Sequence, residues 1–346
     1  MARKRKKADL GQAFGLLAAG AAGWLAWSRR LWNRPVPPEE EARKYARELM
    51  EELGLVDIFE SWEEEEIQGP AGKLQLYHFR SGPDRPVVVF VPGTSVYALL
   101  YVEFMYRLSQ EGFNVVGFDP RGHGMSEGKR GVYTLGQLVD DALAVVYHCM
   151  DTYGSPVAIS GSSQGGMVAF YCAAAEPALA AAVCHNILAP DEPDNERMTR
   201  NPRLFRPFMP FLGVFEPLMK TIVGELMIPV SLYLDLEKET SRLIPDVVHF
   251  LRNDPLAVNW VSLSALHSLA STPLARPVEE IEVPIMVIHA GKDNIFPEDY
   301  VRRVFNRLRC EKEFLYLPDY PHLLVTDYPE VLAPEVASWL KKVIAG

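Results

Sequence analysis

Cysteine is scarce in this chain of 346 residues. Cys149, Cys172, Cys184 and Cys310 are widely separated and match no zinc-ligand spacing. No glycine-rich phosphate loop is present, and neither is an internal repeat or a low-complexity tail. The expectation is therefore chemistry without a metal or other cofactor. Positive charge is also in deficit: 35 Lys and Arg against 45 Asp and Glu leave a net charge of −10. The N-terminus is basic, so the body carries that deficit. This argues against nucleic acid as a partner and against broad electrostatic adhesion of the body to anionic lipid. What is there is ordinary globular material, 48% hydrophobic, enough for one large core plus a lid.

Its most informative stretch is Gly161-Ser162-Ser163-Gln164-Gly165. The apolar run Val157-Ala158-Ile159 leads into it, and Ala169, Phe170 and Tyr171 continue a helix-forming segment beyond it. This reads as a strand, a sharp turn and a helix, with serine at the apex. Glycines two residues either side of Ser163 let the backbone fold tightly and push Oγ out of the sheet. The helix that follows points its N-terminal N–H groups at the place where an oxyanion would form. Ser162 is the rival nucleophile, but its neighbours at the same spacing, Ser160 and Gln164, suit the turn less well. Two further blocks precede the elbow. Val87–Val91 is an apolar strand ending in Pro92-Gly93-Thr94-Ser95, and Val115–Phe118 is followed by Asp119-Pro120-Arg121-Gly122-His123-Gly124-Met125-Ser126.

These blocks resemble the α/β-hydrolase family, over about residues 70–344. The resemblance implies an α/β fold: a mostly parallel sheet flanked by helices, with an inserted helical lid. It implies that the loop after the third strand supplies an oxyanion donor. Proline stands where the family usually has histidine, and the donor expected here is the Thr94 N–H, beside that of Gln164. The loop from Asp119 matches the family's Asp-x-Arg-Gly-His-Gly-x-Ser pattern. It is expected to shape the floor of the site, with Arg121 and Asp119 available to pair, and His123 is a poor candidate for a catalytic base.

The family order of nucleophile, acid, histidine places the remaining groups later in the chain. Val283–Ala290 reads as a buried strand, with Asp293 just beyond its end as the expected acid. Asp191, after the strand Ala182–Ile187, is the rival acid, ranked behind. Glu313–Leu317 reads as the last strand, and the loop Pro318-Asp319-Tyr320-Pro321-His322 carries the expected base, His322. His289 and His185 sit in apolar strands and read as satisfied core residues; His78, His148, His249 and His267 belong to periodic segments.

Residues 190–276 are too long for a connection and read as a lid over the site. The segment opens polar and turn-rich, then runs through Leu204, Phe205, Phe208, Met209, Phe211, Leu212, Val214 and Phe215, broken by prolines between Pro202 and Pro217. Such a surface suits a flexible acyl chain or a membrane. Asn253-Asp254-Pro255-Leu256 resembles the step by which lids of monoacylglycerol-lipase-like and lysophospholipase-like members return to the core.

The N-terminus carries Arg3-Lys4-Arg5-Lys6-Lys7, then eighteen uncharged residues from Leu10 to Trp27, then Arg29, Arg30 and Arg34. Eighteen is the lower edge of the ~20 that a spanning helix needs. Trp24, Trp27 and Trp32 suit an interfacial belt, so an uncleaved single membrane anchor is expected. A cleaved signal peptide and a surface-lying helix are the competing readings, and the side of the membrane stays open. The expected organisation is a basic flank and apolar anchor helix over 1–34, a linker and amphipathic helix over 35–69, and hydrolase core over 70–189. The lid over 190–276 and the second part of the core over 277–346 complete it. The expected function is a membrane-anchored serine hydrolase acting on carboxylic esters, lipid-derived, through Ser163, His322 and Asp293. An acyl thioesterase or amidase using the same residues is the alternative within enzymes, and a non-catalytic hydrolase-fold binding protein the alternative outside them.

Overall fold

Runs of β-branched and aromatic residues such as Val87–Val91 make the central strands, because such side chains fill a pleated surface that is covered on both faces. In chain order the strands are β1 (Glu63–Gly69), β2 (Gly72–Phe79), β3 (Val87–Val91), β4 (Asn114–Phe118), β5 (Val157–Ser162) and β6 (Ala181–His185). Then come β7 (Met227–Pro229), β8 (Trp260–Ser262), β9 (Ile285–Lys292) and β10 (Lys312–Pro321). The computed structural model describes residues 35–221 and 223–345, together with Gly20 and Gly23. The anchor expected within residues 1–34 lies, those two glycines apart, outside the described residues. Among the described residues no helix is long and apolar enough to cross a membrane.

Eight strands form one sheet in the order β1-β2-β4-β3-β5-β6-β9-β10. From β4 to β10 every neighbouring pair is parallel, while β1–β2 and β2–β4 are antiparallel. Parallel strands end on one edge of the sheet. Pro92, Ser163, Asn186, Asp293 and His322, each at or just past the end of its strand, therefore come out on that edge, where ligands of open α/β sheets bind. The alternating strand expected over Lys73–Phe79 is β2, and β1 precedes it. The Glu63–Glu66 run forms that outermost strand in register Glu63↔His78 to Gly69↔Gly72. Its glutamates stay largely in water, as edge strands require.

Helices cover both faces. α1 (Glu39–Glu52) buries Ala42, Ala46, Leu49 and Met50 against Trp62, Tyr77 and Phe79. Burial of a side chain such as Leu49 or Met50 contributes about 1.5–3 kcal/mol. α2 (Val102–Gln110) shares this layer. α3 (Leu135–Tyr153) starts at a capping box, in which Thr134 and Gln137 satisfy each other's backbone N–H groups, and stops at Gly154 in the left-handed conformation. α4 (Gln164–Ala175) is buried almost all round.

The segment between β6 and β9 forms α5 (Leu212–Met219), the β7–β8 ribbon, α6 (Val247–Asn253), α7 (Leu263–Ser271) and short turns of helix. Pro202 starts one short helix, and Pro210 and Pro217 lie inside two others, so no long helix forms here. The return to the core is pinned at Asp254. Its carboxylate accepts from the Leu256 and Ala257 N–H groups at 2.7 and 3.2 Å and from Tyr97 Oη at 2.8 Å. α8 (Glu298–Arg307) and α9 (Pro329–Ala345) complete the layers.

Candidate active site

Ser163 occupies the turn between β5 and α4 with φ 56° and ψ −119°. A non-glycine residue there costs about 1–3 kcal/mol and is held only where its surroundings over-determine it. The constraint comes from the glycines. A Cβ on Gly161 would stand 2.1 Å from the Gly165 carbonyl oxygen, and one on Gly165 would stand 2.1 Å from that of Val91. Close backbone contact between β3, β5 and α4 thus needs both positions bare. The Ser163 N–H donates to the His185 carbonyl at 3.0 Å, which fixes the apex. Ser162 has a different partner: its Oγ lies buried, 3.3 Å from Nδ1 of His185.

His322 closes on Ser163 from the end of β10. Its Nε2 is 3.0 Å from Ser163 Oγ, and its Nδ1 is 2.7 Å from Asp293 Oδ2. Phe296 stacks along the imidazole, 6.0 Å between centroids and 8° between planes. Asp293 is fully engaged. Oδ1 accepts from the Ile295 and Phe296 N–H groups at 2.8 and 2.9 Å, while Oδ2 accepts from His322 and from Asn186 Nδ2 at 2.9 Å. Burial works to raise the Asp293 pKa, but the charge and hydrogen bond of His322, then His185 and the backbone donors, outweigh it and hold the carboxyl well below its usual range. Burial likewise works to lower His322, and Asp293 reverses it, so the imidazole is raised above its ordinary value. A base aligned on a hydroxyl, with a carboxylate behind it fixing the tautomer, is an arrangement able to generate an alkoxide nucleophile.

Asp191 is not part of this group. It pairs on the surface with Arg307 at 2.6 Å. His123 is buried with Nδ1 3.0 Å from the Arg121 carbonyl oxygen, and burial lowers its pKa to about 4. The expected Asp119–Arg121 pair does not form. Arg121 makes a two-pronged bond to Asp141 on α3, at 2.8 and 2.6 Å. Asp119 instead accepts from the Ala98 and Met125 N–H groups and from Tyr77 Oη, and burial raises its pKa to about 6. Two charged groups of one loop thus find separate partners on other elements.

Asn186 went unread in the sequence. It follows β6 with φ 70°, donates to Asp293 and sits 2.9 Å from Nδ1 of His289 through its side-chain oxygen. His185 lies 5.2 Å from His322 between ring centroids, and burial lowers its pKa to about 3. Both histidines read as core residues in the sequence; both in fact abut the site. The signal available for His185 was its place at the end of β6, which reaches the same edge; His289, inside β9, offered none.

Ligand atoms of His185, Asp293 and His322 all lie within 4.8 Å of one another, the one such grouping among the described residues. Both His322 nitrogens already serve Ser163 and Asp293, and Asp293 Oδ2 takes two N–H donors, so a cation would have to displace these bonds. Gln164 is the first residue of α4, directly after Ser163, and its N–H therefore lacks an intrahelical acceptor. Thr94 lines a cavity of about 80 Å³ together with Ser163, His322 and Tyr101. The lid supplies Leu234, Leu236, Leu243, Ile244 and Phe250 to its walls. A larger, shallow depression of about 660 Å³ near Arg276, Glu280 and Arg309 lies toward the opposite ends of β9 and β10, away from Ser163.

The sequence profile of the family Hydrolase_4, described as serine aminopeptidase, S33, matches residues 82–329. A bifunctional esterase/perhydrolase of Acinetobacter calcoaceticus is 23% identical over 294 residues, covering 78% of this chain and 96% of that protein. A monoacylglycerol lipase of Mycolicibacterium smegmatis is 27% identical over 266 residues, covering 74% of this chain and 88% of the relative. Among solved structures, the monoacylglycerol lipase of Paleococcus ferrophilus superposes with a TM-score of 0.61 at 21% identity, covering 78% of this chain and 99% of its own.

Proposed function

This chain belongs to the Hydrolase_4 family of α/β-hydrolases, and from that premise we propose that it is a membrane-anchored serine hydrolase that cleaves lipid-derived carboxylic esters of the monoacylglycerol or lysophospholipid type. The observation that carries the reading is the unbroken series Asp293–His322–Ser163, at 2.7 and 3.0 Å. His322 Nε2 takes the Ser163 proton as Oγ bonds to the acyl carbon. The Thr94 and Gln164 N–H groups hold the oxyanion. His322 returns the proton to the leaving oxygen, the C–O bond breaks, and a water activated by the same imidazole frees the acid and restores Ser163.

A lipid substrate is favoured by the lid. Its side chains line the cavity with apolar groups, and Leu204, Phe211, Val214 and Leu218 stand exposed on its outside. Ligand pockets usually span ~300–1,000 Å³, so a cavity of about 80 Å³ admits a long acyl chain only when the lid moves. The names of the relatives, an esterase and a monoacylglycerol lipase, point the same way. The anchor within residues 1–34 would raise the local concentration of enzyme at a bilayer.

The test has two parts. A fluorophosphonate probe should label Ser163, as located by peptide mapping; absence of labelling would favour a binding protein. A panel of p-nitrophenyl esters of rising chain length, monoacylglycerols, lysophospholipids and acyl thioesters should show turnover of oxygen esters. Turnover confined to thioesters would replace the ester reading with the thioesterase alternative on the same residues.

A further inference from the structure

We infer that Glu239 reads hydroxyl groups on the leaving alcohol, so that the site favours polyol esters of the glycerol type over plain alkyl esters and over alcohols bearing phosphate. The inference rests on the ester-hydrolase reading above and assigns the leaving-group side of that site. Glu239 comes from the lid, just after the helical turn Leu236–Lys238, and is only 7% exposed. It lines the same cavity as Ser163 and His322, beside Leu234, Leu236 and Leu243. Among the described residues neither carboxylate oxygen has a hydrogen-bond partner. Asn294 stands close but outside hydrogen-bonding geometry, and burial raises the Glu239 pKa against its influence and that of His322. A buried carboxylate with no donor is costly in free energy, and such groups are ordinarily paired. An unpaired one facing a substrate cavity is explained if the substrate brings the donors.

The side of the site follows from His322. The leaving oxygen receives its proton from His322, so the leaving alcohol must lie against that imidazole. Glu239 is the carboxylate that acts on His322 besides Asp293. Glu239 and His322 line one cavity, and on that shared wall we assign Glu239 to the alcohol side, whereas Val96, Leu100 and Tyr101 line the cavity from the loop and helix that follow β3. Hydroxyls donate to a carboxylate; an alkyl group leaves it unsatisfied, and a phosphate sets like charges together. Ser241 and Thr326 also line the cavity, but their hydroxyls donate within the fold, to Asp327 and to the Leu323 carbonyl, which leaves Glu239 as the acceptor without a donor among the described residues.

The experiment compares 1-octanoylglycerol, ethyl octanoate and 1-octanoylglycerol 3-phosphate on the full chain, on Glu239→Gln and on Glu239→Leu. The ratio of kcat/KM for the glycerol ester to that for the ethyl ester should fall about tenfold or more in Glu239→Leu, mainly through KM, because a site built to bond a hydroxyl discriminates strongly. Glu239→Gln, nearly isosteric and half an acceptor, should lose less, and it should gain on the phosphate ester relative to the ethyl ester. Should the leucine variant fail to fold, the glutamine variant alone decides. An unmoved ratio overturns the inference. So does an equal fall on all three esters with a downward shift of the acidic limb of the pH profile, since Glu239 would then act through His322. If the native chain cleaves no ester, the ester reading and this inference fall together; if it cleaves esters with an unmoved ratio, only the inference falls.

Discussion

Asp293→Asn is the most searching test of the site. The carboxylate accepts four hydrogen bonds, two at each oxygen: Ile295 and Phe296 N–H on Oδ1, His322 and Asn186 on Oδ2. Asparagine puts an NH2 on one side, and either orientation sets it against two donors. If it faces the backbone, two buried N–H groups lose their acceptor. If it faces His322, the imidazole must present a bare Nδ1 and carry its proton on Nε2, where it cannot accept from Ser163. The tautomer penalty in Ser-His-Asp hydrolases is about ten-thousandfold in kcat, or ~5.4 kcal/mol at about 1.36 kcal/mol per tenfold. The assay is kcat on p-nitrophenyl butyrate, with circular dichroism to confirm the fold. Retention of more than about one-tenth of native kcat in a folded variant would refute the assignment. Asp191→Asn, which breaks only the surface pair with Arg307, should stay close to native.

Ser163→Ala should abolish turnover and fluorophosphonate labelling, and His322→Ala should approach it because the two act as one unit; Ser162→Ala should retain substantial activity. The acidic limb of kcat/KM should titrate above the ordinary histidine value of about 6.5, since Asp293 raises His322 and only the neutral imidazole accepts a proton; a limb below that value would contradict the pairing. Asp141→Leu leaves the buried Arg121 guanidinium without its partner and should cost about 3–5 kcal/mol, read as a lower Tm. A chain starting at Glu39 keeps α1 and every site residue, so it should need no detergent and should turn over short esters at close to the full-length rate. The full-length chain should resist carbonate extraction, and its release intact would refute the spanning anchor.

The parts of the molecule that were legible in the sequence are those specified by local chemistry. A run such as Val87–Val91 has one sensible environment, and the bare glycines around Ser163 have one sensible reason. Asp293 and His322 were singled out by the resemblance, whose order of nucleophile, acid and histidine points to the loops after two late apolar runs, and parallel strands deliver those run ends to one edge. The Asp119 loop shows where such reading stops. Its residues were recognised, but the pairing of Arg121 was misjudged because Asp141 lies twenty positions on, on a different element. Pairing across the fold depends on which elements the topology brings together, and no spacing within one loop encodes that.

Asn186, His289 and Glu239 were illegible for a related reason. Each is ordinary in its own segment and becomes distinctive only through partners from elsewhere in the chain. His289 lies inside β9, where a satisfied core histidine is the sound reading, and it is satisfied: its partner is the amide that anchors Asp293. Glu239 is the opposite case, a buried carboxyl group with no hydrogen-bond partner among the described residues. The first residue stabilises the acid through another side chain, and the second awaits something from outside. Satisfaction of buried polar groups separates these roles. It can be assessed only once the lid has been brought down over the edge of the sheet, which places Glu239 and His322 on the walls of one cavity.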